Sequence, residues 1–109
     1  MQTIKNRISL IGRVGNQPEF KTFSNDSKKG VFSLATNEYY YTSEGEKKEL
    51  TYWHQIITWG KVSQIVERFI EKGQQIAIEG KITYRTYENK EGVKINLTEI
   101  IANEILLLD

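Results

Sequence analysis

One short segment, Val62 to Ile70, restricts this chain more than any other. Val62, Ile65, Val66, Phe69 and Ile70 recur at i, i+3, i+4, i+7 and i+8, the stripe of an amphipathic helix. Gly73 lies just past the last apolar residue, where a left-handed terminator is expected, and Lys72 precedes it near the negative end of the helix dipole. The rest reads as strands: runs rich in Ile, Val, Thr and Tyr between turn-like clusters at Gly15–Pro18, Ser24–Gly30, Ser43–Glu46 and Glu88–Gly92.

The strands alternate. In the first, Ile4, Ile8, Leu10 and Val14 share one parity, and Lys5, Arg7, Ser9 and Arg13 share the other, which makes one side apolar and one basic. The second, Val31 to Tyr41, is apolar at Phe32 and Leu34. The third, Leu50 to Trp59, sets Trp53, Gln55, Ile57 and Trp59 on one face. The fourth, Gln75 to Tyr87, sends Ile76, Ile78, Ile82 and Tyr84 one way and Lys81, Arg85 and Tyr87 the other. The fifth, Val93 to Leu108, is apolar toward its end. Three strands, one helix and two strands is the layout of an OB-fold, so the expected class is all-β: a five-stranded Greek-key barrel with one α-helix between strands 3 and 4. Gly12 and Gly80, inside regular strands, suit the bends of a small closed barrel. At 109 residues the expectation is one domain spanning 1–109.

Composition removes several function classes. With no cysteine there are no disulfides, thiolate metal sites or thiol nucleophiles. No signal-peptide core and no apolar run near membrane-spanning length is present, so a cytoplasmic protein with no membrane partner is expected. Net charge is +1, low for a nucleic-acid binder. The charge is uneven, however: residues 1–30 hold six Lys or Arg against two acids, and residues 91–109 hold one against four.

The chemistry rests on aromatics and cations. Trp53 and Trp59 share a parity six residues apart, about 20 Å along a strand, with polar Gln55 between them. Tyr87 shares a face with Arg85 and Lys81. Aromatics interleaved with cations suit unpaired nucleic acid, because every base offers a π-face while Lys and Arg follow the phosphates. Core packing explains the same aromatics, and on the residues alone both readings stand; for Phe32 and Phe69, which sit on apolar stripes, core packing is the expectation. Lys5, Arg7, Arg13, Lys61, Lys72, Lys81 and Arg85 form a basic set on expected outward faces. His54, the only histidine, lies opposite the tryptophans without a partner acid, so a hydrogen-bonding or interface role is expected rather than metal binding or catalysis. Gly12-Arg13-Val14-Gly15 matches neither a phosphate loop nor a dinucleotide fingerprint. No metal, cofactor or catalytic residue is expected.

Five blocks then resemble the bacterial single-stranded DNA-binding proteins: Asn6 to Glu19, Phe32 to Thr36, Trp53 to Lys61, Lys72 to Gly80, and Thr98 to Ile101. They run in the family's order with nearly its spacing. The resemblance implies an OB-fold, binding of single-stranded DNA with little sequence preference, no catalysis, a homotetramer, and a cytoplasmic, nucleoid-associated role in replication, recombination and repair. It implies base stacking by Trp53, Trp59, Tyr87 and Tyr40, DNA contact by Arg7, Lys61, Lys72 and Arg85, and a subunit contact at His54. Tyr40 and Tyr87 stand where better-known members have tryptophan, Gln55 replaces a commonly basic residue, and Gln17 a commonly acidic one. Parity puts Tyr40 with Phe32 and Leu34, on the core side, so its use for stacking requires a bulge or bend.

Members usually continue into a flexible linker and an acidic tail, whereas this sequence stops at Leu106-Leu107-Leu108-Asp109; recruitment of repair and replication enzymes through a tail is not supported by it. The competing classes are a dimeric primosomal OB-fold protein, separable by sedimentation and weak DNA affinity, and an enzyme or oligosaccharide-binding OB domain, for which no residues speak.

Overall fold

The computed structural model describes residues 4–109. A 3-10 turn, Ile4–Asn6, leads into β1 (Ile8–Val14), followed by β2 (Glu19–Thr22), β3 (Lys28–Tyr41), β4 (Lys47–Trp59), α1 (Gly60–Phe69), β5 (Gln75–Glu88) and β6 (Lys94–Leu107). The strands neighbour one another in the order β1-β5-β6-β4-β3-β2, and β1 also pairs with β3, closing a five-stranded barrel. β2 lies along β3 beyond the end of β1: β1 meets β3 at Ala35 and Leu34, and β2 meets it from Val31 to Lys28.

Strand alternation decides what goes inside. Phe32 and Leu34 of β3, Ile56 of β4, Ile76 and Ile78 of β5, and Ile100 and Ala102 of β6 are each no more than 4% exposed and form one cluster with Val14. The helix closes the barrel with Val66 and with Ile70 just beyond its end. Its polar Ser63 is also fully buried, satisfied by a 2.7 Å hydroxyl contact with Thr58, which in turn donates to the Gly30 carbonyl.

Closure depends on two glycines. A methyl group on Gly12 would strike the Ala35 carbonyl where β1 crosses β3. One on Gly80 would strike the Ile101 carbonyl, beside the register shift between β5 and β6 at Glu79 and Gly80. Both are places where backbone approaches backbone, a use of strand glycine beside the bends expected of them from sequence.

Several local expectations differ. Lys5 lies in the 3-10 turn ahead of β1 rather than on the strand. β2 was not legible because its four residues contain one apolar side chain, Phe20. Pairing with β2 and β4 also draws Lys28, Lys29 and Gly30 into β3 despite their turn-like composition. The helix stops at Phe69 because Ile70 turns to an extended conformation (φ −102°, ψ 127°), with its side chain in the core. Gly73 (φ 92°) therefore serves the next turn, where its N–H donates to the Val14 carbonyl at 2.8 Å. Phe69 is 54% exposed, not core, and Ile65 is exposed beside it, because the barrel mouth takes only the Val66–Ile70 edge of the stripe.

Gly80→Ala and Gly12→Ala are each expected to cost about 1–3 kcal/mol, the usual penalty for forcing atoms into a packed site. Thermal melts should fall by about 4–8 °C per kcal/mol in a domain of this size.

Candidate nucleic-acid interface

Residues paired directly across an antiparallel ladder share a face, so the registers define the outer surface. β3 and β4 pair without a break from Lys29 opposite Trp59 to Tyr41 opposite Lys47. Trp53 therefore stands beside Ala35, and Ala35 beside Arg13 of β1, forming one row. Trp59 stands beside Lys29. Ile57, between the tryptophans, continues through its partner Ile101 of β6 to Lys81 of β5. Trp53, Trp59 and Lys81 thus share one outer face, as the sequence pattern implied.

The two indoles are exposed for different reasons. Trp53 is 63% exposed. A side chain on Gly15 would run into its ring at Cζ3 and Cη2, so the absence of one there lets the indole lie against the β1–β2 turn. Trp59 is 41% exposed and bracketed: its ring centroid lies 5.8 Å from that of Phe23 at an interplanar angle of 30°, and Lys29 Nζ lies 5.8 Å from the ring. Between β4 and β5 an open cavity of about 330 Å³ is lined by Trp59, Lys29, Ile57, Arg85 and Glu99 among others.

The Glu99 side chain is only 7% exposed. Its two oxygens accept from Arg85 Nε and Nη2 at 3.2 and 3.1 Å, and Gln55 Nε2 donates to it at 3.4 Å. The hydrogen bond to Glu99, then its charge, hold the Arg85 guanidinium above its ordinary pKa. The Arg85 guanidinium carbon lies 5.8 Å from the Tyr87 ring centroid, and Tyr87 is 42% exposed.

The basic set divides by residue type. Arg7 is paired with Glu79 at 2.7 Å, a hydrogen bond that raises its pKa. Arg13 donates to the Gly73 carbonyl at 3.0 Å and lies 3.5 Å from Asp109, and Arg85 is paired with Glu99. Lys5, Lys61, Lys72 and Lys81 are exposed and make no ion pair among the described residues. Lys61 is the second residue of α1, two after Trp59, and Lys72 sits in the turn that follows the helix.

Tyr40 is 49% exposed although it shares parity with Phe32 and Leu34, and no bulge intervenes. The β3–β4 hairpin simply runs past the core, so the inner parity meets solvent at its tip. The parity of Trp53 belongs there to Tyr39 and Tyr41, both exposed. Lys47 Nζ sits 4.3 Å from the Tyr39 ring, and Glu49 raises the Tyr39 phenol pKa, by hydrogen bonding first and by charge second. Phe23, Lys29, Gly15 and Glu99 escaped sequence reasoning. Their roles follow from cross-strand register and loop placement, neither of which leaves a local pattern.

Residues 5–108 match the model of the single-strand binding protein family. The chain belongs to that family. It is 38% identical over 104 residues to single-stranded DNA-binding protein 1 of Chlorobaculum tepidum, covering 94% of this chain and 64% of that protein. It is 35% identical over 103 residues to the single-stranded DNA-binding protein of Neisseria meningitidis, covering 94% and 59%. The chain thus spans about three fifths of the length of these curated relatives. A solved Plasmodium falciparum SSB in complex with ssDNA superposes with a TM-score of 0.90 at 30% identity, over 100% of this chain and 99% of that one. A deletion mutant of the Thermus aquaticus single-stranded DNA binding protein shares the fold, with a TM-score of 0.83 at 24% identity, over 95% and 50%. The barrel of this SSB-family chain is an OB-fold.

His54 is half-buried opposite the tryptophan face, its Nε2 2.9 Å from the Thr36 hydroxyl. Burial holds its pKa below the ordinary value, so the unfolded chain takes up this proton first as pH falls. Folded stability should therefore drop as pH passes down through about 6.5, and the urea midpoint should fall more between about pH 7 and pH 5 in the wild type than in His54→Gln.

Proposed function

We propose that this chain binds single-stranded DNA with little sequence preference, stacking bases on Trp53 and Trp59, with Tyr87 extending the platform, Tyr40 offering a separate ring at the tip of the β3–β4 hairpin on the opposite parity, and lysines meeting the phosphates. The observation that carries this reading is the pair of indoles, 63% and 41% exposed on one strand face, with Lys29 beside Trp59 across the ladder and Lys61 two residues after it in sequence. Exposed aromatics of that size in a small barrel are costly without a partner, and base faces are the flat apolar partners that tolerate any sequence. The likeness to the Plasmodium falciparum protein solved with ssDNA supports it.

In this reading the chain carries no catalytic step, needs no cofactor, and protects unpaired strands in the cytoplasm, at the nucleoid, during replication, recombination and repair. No described helix is long and apolar enough to cross a membrane. Assembly is as a homotetramer, with His54 at a subunit contact. Support for self-association comes from exposed Ile11, Ile65 and Leu106 around a cavity of about 770 Å³ lined by β1, α1, β5 and β6, since apolar surface of this kind marks protein contacts.

Titration with oligo-dT should quench the tryptophan fluorescence, with affinity falling as salt rises; unchanged fluorescence and no gel shift at low salt would overturn the reading. Trp53→Ala and Trp59→Ala should each weaken binding by about 1–3 kcal/mol. Lys61→Ala should flatten the dependence of log affinity on log salt by about 0.7, the single-strand value for one phosphate contact. Sedimentation of the free protein should give four copies, and a dimer would refute the tetramer.

A further inference from the structure

Arg85 carries the charge of a phosphate contact but not the surroundings of one. Its partner Glu99 is nearly enclosed, with a side chain 7% exposed, and it engages the guanidinium through both oxygens while Arg85 itself stays 49% exposed. A carboxylate so enclosed cannot swing away when DNA arrives, and two parallel hydrogen bonds fix the guanidinium plane. The third donor to Glu99, Gln55, is neutral, so the local charges of Arg85 and Glu99 cancel. Around the pair, the Arg85 guanidinium carbon lies 5.8 Å from the Tyr87 ring centroid, and Arg85 and Glu99 both line the cavity that Trp59 also lines. A charge already matched by a buried anion releases few counterions from a phosphate, whereas a flat guanidinium held at a fixed angle among aromatic rings stacks well on a base.

We propose that Glu99 is a positioning residue that cancels the charge of Arg85 and sets its guanidinium as a shelf for bases, so that Arg85 serves the stacking platform rather than the phosphate track. The proposal rests on the single-stranded DNA reading and assigns separate work to the two kinds of cation: unpaired lysines set the salt dependence, and the paired arginine sets contact with bases.

The test measures oligo-dT affinity across a salt series for the wild type, Glu99→Gln, and the double variant Arg85→Met with Glu99→Gln. Glu99→Gln keeps the shape and a hydrogen-bond acceptor but frees the charge of Arg85, and should steepen the slope of log affinity against log salt by about 0.7. The double variant removes the pair without changing net charge. Its slope should match the wild type while its affinity falls several-fold through loss of the shelf. A double variant whose slope is flatter by about 0.7 would make Arg85 a phosphate contact and overturn the proposal. So would a Glu99→Gln slope equal to that of the wild type, or a steepening that persists in the double variant, since the added charge effect would then not belong to Arg85. If Glu99→Gln fails to fold by circular dichroism, the double variant still decides, because it removes both charges together and leaves neither without its partner. Wild-type protein that does not bind oligo-dT at all would instead refute the underlying DNA-binding reading, which separates the two failures.

Discussion

The structure depends on the crossing of β1 over β3, where Gly12 brings two backbones together. That contact turns a six-stranded ribbon into a closed barrel. Closure supplies an inside small enough for ten buried side chains from β1, β3, β4, β5, β6 and the helix region to fill. It also frees the outer faces of the strands from core duty. Trp53, Trp59, Lys81 and Arg85 can then be chosen for what they meet in solvent. The same crossing places Arg13 in a row with Trp53, and the turn after β1 supplies Gly15 as the bed for the indole.

Much of this was legible in the sequence because strand alternation is a strict signal. The parity of Trp53 with Trp59, the inward Phe32 and Leu34, and the stripe that makes α1 each follow from spacing, and each holds in three dimensions. What failed did so where tertiary contact overrode local pattern. Phe69 has the spacing of a core residue, but the barrel mouth accepts only the Val66 and Ile70 edge of the helix. Tyr40 has core parity, but β3 outruns the core, and parity carries no information about where a barrel ends. Glu99 carries no local signal in the sequence; only the fold reveals that it accepts from Arg85 and Gln55.

Charge behaves differently in the two halves of the basic set. Three arginines expected to face phosphates are bound to Glu79, Asp109 and Glu99, while the four lysines expected with them are exposed and unpaired among the described residues. The chemistry of the side chains favours the division without compelling it, since outside this set Lys28 pairs with Glu67 and Lys48 with Glu46. A guanidinium has a rigid fork that matches a carboxylate and builds structure, whereas an ammonium on a flexible stem stays hydrated and mobile. A net charge of +1 therefore conceals a surface on which the mobile cations, and not the total, are what an anionic strand encounters.

The unbroken ladder between β3 and β4 has a consequence for how such a chain can change over generations. From Lys29 opposite Trp59 to Tyr41 opposite Lys47 the pairing never skips. Inserting or deleting one residue within either strand would flip every side chain beyond it to the other face, carrying an indole inward and an isoleucine outward. Substitutions can accumulate along this hairpin, but changes of length can be absorbed only at the turn from Thr42 to Glu46, where the ladder reverses. The hairpin is thus a ruler whose divisions are fixed, and its variation is confined to its tip.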